Sequence, residues 1–116
     1  MTSEEQDYKD ALDAVKRGDE SAKTKVAWYM LSGRGGAAID ADGAVVLLEE
    51  RVKGKDTEAM WMLGVCNEFG MGTEPDIKRA KNLYLQSNNG NNEIGKILMT
   101  NKEHRIWNGC LKMKRL

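Results

Sequence analysis

One histidine, His104, and two cysteines, Cys66 and Cys110, are the residues of this 116-residue sequence best suited to nucleophilic or metal chemistry. A lone imidazole cannot build a multi-histidine metal centre. Cysteines 44 positions apart give neither a disulfide framework nor a CxxC metal or redox pair. The nucleophile arrangement left open is a thiol with an imidazole, Cys66 or Cys110 with His104. Neither cysteine sits in a recognisable catalytic signature. Cys66 follows Val65 in the middle of a helical stretch, the setting of a packed thiol. His104, flanked by Lys102, Glu103 and Arg105, reads as a solvated surface residue. The acidic clusters Glu4-Glu5-Asp7 and Asp19-Glu20 stand at helix starts, where the dipole favours carboxylates, so they read as caps and not as metal ligands. Gly33-Arg34-Gly35-Gly36 lacks the preceding strand and the following Lys-Ser/Thr of a phosphate-binding loop. The expectation is no cofactor, no metal and no enzymatic activity, with a small Cys/His-dependent enzyme as the alternative.

Composition narrows the classes further. Apolar residues make up 41% and charged residues 31% of the chain, a globular mixture with too many aliphatics for intrinsic disorder. The 18 basic and 18 acidic side chains cancel, so no global field draws nucleic acid, which argues against a dedicated nucleic-acid binder. No apolar run approaches the roughly 18 residues of a membrane span. The acidic start Met1-Thr2-Ser3-Glu4-Glu5 is unlike a signal peptide, so a cytoplasmic location is expected. Charge is nevertheless uneven, with residues 1–20 at −4 and residues 90–116 at +4. Three readings stay open: solvated caps, weak head-to-tail self-association of the opposite ends, or contact of the basic tail Lys112-Met113-Lys114-Arg115 with an acidic partner, nucleic acid or lipid headgroups. Seven methionines suit an adaptable apolar surface or filler for irregular core gaps.

The elements that must position these residues read as helices. One proline, Pro75, and twelve glycines at regular positions point to helices broken by glycine turns, hence an all-α class. Ser3-Glu4-Glu5-Gln6 reads as a capping box that opens a helix over about 4–17, closed by Gly18 in the left-handed conformation. Asp19 is the expected cap of a second helix over 20–31. The run Ala44 to Val52 predicts a third helix, with Asp40 or Asp42 as cap and Gly54 as stop, and a buried strand as the competing reading. Helices are also predicted over 57–69, after Pro75 up to Gly90, and over 93–99, with a last one from Lys102 through Trp107 toward Met113.

Gly18, Gly54 and Gly90 are 36 residues apart, Ala44 and Ala80 are likewise 36 apart, and the pairs Gly33/Gly35 and Gly70/Gly72 share a G-x-G spacing offset by 37. Such a period is the mark of a repeat array. The second unit reads Gly54, Ala59, Leu63-Gly64, Gly70-Met71-Gly72, then Asp76-Ile77-Lys78-Arg79-Ala80 and Tyr84. The first reads Gly18-Asp19, Ala22, Ala27, Gly33-Arg34-Gly35, Asp40 and Ala44. On these residues the chain resembles the Sel1-like repeat family. Met30 and Asn67 stand where the family has a tyrosine, and Gly36 and Thr73 where it has a valine. A tetratricopeptide array, with a period of ~34 and a tight turn between helices, fits less well. The resemblance implies a short right-handed α-solenoid of antiparallel helix pairs in one domain: a leading helix over 4–17, repeats over 18–53 and 54–89, and a partial repeat or cap over 90–116. It also implies scaffolding roles with no chemistry common to the family. The β-lactam binding or hydrolysis linked to some secreted cysteine-rich relatives goes with paired cysteines that this chain lacks.

Solenoids present an extended concave surface, so the expected function is a protein-interaction adaptor or scaffold holding a partner peptide or domain in that groove, or else a regulatory subunit or inhibitor using the same surface. The resemblance implies that Ala59, Leu63, Gly64 and Asn67 are the packing positions of the unit-two first helix, so at 100° per residue its other side centres on Trp61, Val65 and Glu68. An offset of 37 puts Thr24, Trp28 and Leu31 at the matching places of unit one. The expected partner-binding residues are Lys25, Trp28, Leu31, Trp61, Val65 and Glu68, with Lys25 and Glu68 as rim charges. Ile106, Trp107, Cys110 and Leu111 form an apolar stripe expected to cover the last unit.

Overall fold

Side-chain oxygens open five of the six α-helices found among residues 2–102, the part of the chain that the computed structural model describes. Helix α1 (Ser3–Lys16) is capped by Thr2, whose hydroxyl accepts from the Glu5 N–H at 3.1 Å. The cap therefore sits one residue before the expected Ser3. A cap must keep an extended backbone, and Thr2 has it while Ser3 is already helical. Gln6 instead donates to Asp10 one turn on. Gly18 takes the expected positive φ of 93°. Helix α2 (Ala22–Ser32) starts later than Asp19 alone suggests, because the Asp19 carboxylate accepts from the backbone and hydroxyl of Ser21 and so closes a turn ahead of the helix.

Gly33 ends α2 with φ 73°, and a short 3-10 turn over Arg34–Gly36 leads to α3 (Ala41–Lys53). Helix wins over strand here because one face is sealed (Ala44, Val45, Leu48) while Val46 is 59% exposed, a helical rather than an all-round burial pattern. Asp56 caps α4 (Thr57–Phe69), and Asp76 caps α5 (Ile77–Asn89). Pro75 stands just before the Asp76 cap of α5, as expected of a proline near the helix start, and its ring fills the space beside Gly70. Helix α6 covers Glu93–Lys102. His104, Cys110, the stripe Ile106 to Leu111 and the tail Lys112 to Arg115 lie outside the described residues. Among those described there is no strand, and no helix is long and apolar enough to cross a membrane.

Backbone geometry recurs along the chain. Asp40 and Asp76 cap α3 and α5 with nearly the same backbone (φ −146°, ψ 84° and φ −147°, ψ 91°), and their N–H groups donate to Met30 and Asn67, 37 residues apart. Gly33 and Gly70, and Gly35 and Gly72, are left-handed in both stretches. Gly54 and Gly90 differ from Gly18, since the left-handed residue comes one step later, at Lys55 and Asn91. At Gly90 the glycine supplies room: a Cβ there would run into the Thr57 methyl.

Each helix packs on the next one in sequence, and α2 also touches α4, as α4 does α6. Ala27, Ala44, Leu48, Ala59, Leu63 and Cys66 are sealed in one core cluster. Ala80, Tyr84 and Leu98 form a second between α5 and α6. The small residues Ala27, Gly64, Ala44 and Ala80 let neighbouring helices approach closely, most visibly at Gly64, on which the Tyr84 ring lies.

Candidate functional site

The outward sides of α2 and α4 do not close over one another. Between them run two clefts, of about 510 Å³ and about 230 Å³, which share Trp28, Trp61 and Met62 and so form two lobes of one groove. Trp28 and Leu31 come from α2, and Trp61 and Val65 from α4. Met71, from the glycine turn after α4, closes the narrow lobe. Thr24 and Lys25 of α2 enter the wide lobe, together with Asp7 of α1 and Ile94 of α6. Five of the six expected partner-binding residues, Lys25, Trp28, Leu31, Trp61 and Val65, thus stand along one surface.

Glu68 does not. It is buried, and its carboxylate accepts from the Tyr84 hydroxyl at 2.6 Å. Helical projection puts Glu68 close to the Trp61 side, but Gly64 leaves a gap in which the Tyr84 ring lies, and the hydroxyl then reaches the next turn of α4. Thr24 is also buried and donates to Asp56 at 2.6 Å, tying α2 to the cap of α4.

The wide lobe is held by charge-assisted hydrogen bonds. Tyr29 donates to Asp7 at 2.7 Å and Lys25 donates to the other carboxylate oxygen at 3.0 Å. The Tyr29 hydrogen bond, followed by that of Lys25, holds the Asp7 carboxyl below its ordinary value. The same contact with Asp7 pushes the Tyr29 phenol up to about 12, with burial acting in the same direction. Asp56 resists a burial that would raise its carboxyl. Hydrogen bonds from Thr24, the Ala59 N–H and Arg51 outweigh that effect and keep it below the usual range. Trp28 sits edge-on to Tyr29 with centroids 5.0 Å apart, and the Arg34 guanidinium lies 5.4 Å above the Trp28 ring. The Trp61 indole N–H is buried with no acceptor among the described residues.

Cys66 is fully buried, and burial pushes its thiol up to about 11, the opposite of the depressed value an activated nucleophile needs. No group of three or more His, Cys, Asp or Glu among the described residues is arranged to hold a metal ion. Sequence reasoning missed Asp7, Tyr29, Asp56, Met62, Met71 and Ile94. Asp56 was detectable as a cap before Thr57-Glu58, whereas Asp7 and Ile94 reach the groove from flanking helices whose placement no local pattern encodes. A scan of protein-family models finds no match to this chain, and a search of curated proteins finds none either.

Proposed function

We propose that this chain is a helical-repeat interaction module, a short right-handed solenoid of antiparallel pairs of the Sel1-like kind, that holds a segment of a partner protein in the groove between α2 and α4. The observation that carries the reading is the groove itself. Two tryptophans 33 positions apart in sequence line both of its lobes, only partly buried, with Leu31 and Val65 beside them. Large aromatic side chains in a half-open apolar cleft are the type that dominates interface energies. The recurrence of cap and glycine geometry at 36–37 residues, and the contacts of α2 with α4 and α4 with α6, support the repeat reading.

A photo-crosslinking residue placed at Leu31, at Val65 and, as a control, at the exposed Val46 of α3 tests the proposal. Adducts from Leu31 and Val65 to one and the same partner segment, mapped by mass spectrometry and absent at Val46, are the expected result. Equal adducts at Val46, or none at either groove position, would overturn it.

A further inference from the structure

Charge is distributed unequally along the groove. Its narrow lobe, between Trp28, Leu31, Trp61 and Val65, is lined by no charged side chain. The wide lobe gathers Asp7, Asp56 and Glu58 around Lys25. Through Asp7, Ser21 and Lys25 it continues into a shallower cleft of about 290 Å³, to which Asp10 and Asp19 belong. Five carboxylates thus line this end with one ammonium, and that ammonium is already held by Asp7 at 3.0 Å. Arg51 pairs with Asp56 at 3.2 Å and Arg17 acts on Asp19, so two more charges are offset, which still leaves the end net negative. Hydrogen bonds from Ser21 hold the Asp19 carboxyl below its ordinary value, so the negative charge there persists into mild acid.

Resting on the groove-binding reading above, we propose that the occupant is a partner-protein segment carrying a large apolar side chain next to a lysine or arginine. The apolar group sits between Trp28 and Val65, and the basic group lies at the Asp7, Asp19 and Glu58 end. A basic side chain suits that end on two counts. Its alkyl stem covers an indole face while its head keeps contact with water and carboxylate. The uncharged lobe beside it accepts an aliphatic or aromatic neighbour without burying a charge. An acidic segment would meet like charge at every position where Lys25 is not available.

Three fluorescein-labelled hexapeptides test this against the purified full chain by fluorescence anisotropy: acetyl-Leu-Lys-Phe-Arg-Leu-Lys, the same peptide with glutamine at each basic position, and the same with glutamate. The basic peptide is expected to bind about tenfold more tightly than the glutamine peptide and to lose most of that margin at high salt. The double variant Asp10→Asn with Glu58→Gln, which leaves Asp7 and Asp19 in place, should cut the margin at least by half. Asp42→Asn with Glu74→Gln, an equal change of net charge at residues lining neither lobe, should leave it intact. Equal affinity for the basic and glutamine peptides, both weakened by Leu31→Ser, would overturn the cationic occupant and leave the groove reading standing. Tighter binding of the glutamate peptide would also overturn it. So would a lack of binding by all three, and the groove reading is then decided separately by the crosslinking experiment. A peptide copying residues 104–116 that binds more than about tenfold tighter than its own scrambled sequence would assign the groove to a second copy of this chain, again overturning the partner segment.

Discussion

The phenol ring of Tyr84 in α5 lies directly on Gly64 of α4 and, from there, donates its hydroxyl proton to Glu68 at 2.6 Å. A Cβ at position 64 would occupy the space of the ring, and the ring cannot yield because Tyr84 has no exposed surface. Gly64→Ala is therefore expected to destabilise the chain by roughly 1–3 kcal/mol despite the better helix propensity of alanine. Glu68→Leu should be comparably costly, since it removes the carboxylate that accepts from the buried hydroxyl, while Glu68→Gln keeps an acceptor there and should cost less. Chemical denaturation of the three variants checks the order.

At Trp61 the indole N–H is a buried donor that finds no acceptor among the described residues. Trp61→Phe removes an unpaired group and is expected to change stability by less than about 1 kcal/mol, whereas Trp61→Ala leaves a void and should cost about 2–4 kcal/mol. Thermal melts of both variants make the comparison. An equal loss in the two would show that the N–H is bonded in solution.

The Tyr29–Asp7 contact predicts an alkaline weakness. A phenol whose folded value is about 12 against an ordinary 10.0 favours the folded state at every pH below 10, and that contribution is lost as pH rises from 10 toward 12. Asp7 acts in the other direction: its lowered carboxyl stabilises the fold above its ordinary value and ceases to do so as pH falls through the acid range. In an ultraviolet titration of phenolate absorbance, Tyr29 should ionise late. Asp7→Asn should bring it back toward its ordinary value.

Cys66 should behave as a core residue. Iodoacetamide at about pH 8 is expected to modify it only at the rate at which the protein opens, since a buried thiol raised to about 11 offers almost no thiolate. Peptide mapping separates it from Cys110. Rapid native labelling of Cys66 would restore the thiol–imidazole alternative.

Much of this was readable from local chemistry. The bounds of α4 follow from an aspartate before Thr57 and a glycine after Phe69, two signals that act over a single turn. Trp28, Leu31, Trp61 and Val65 follow from helical angles once Gly64 and Ala27 are given to the core. What local chemistry did not encode is reach. Glu68 left the surface because a tyrosine sixteen residues later crosses a glycine to meet it. Asp7 and Ile94 entered the groove from helices whose positions depend on packing. Even the first cap moved by one residue, since Thr2 and Ser3 both offer a hydroxyl and only backbone geometry chooses between them.

The pairing of Gly64 with Tyr84 has a counterpart 36–37 residues earlier, where Ala27 and Leu48 are both sealed from solvent. One position gains a methyl where the other gives up a ring, so the two stretches are keyed differently although they are cut to one pattern. Descendants of this sequence could change either key only in concert with its lock. Transplanting one half into the place of the other would therefore fail unless both members of the pair travelled together.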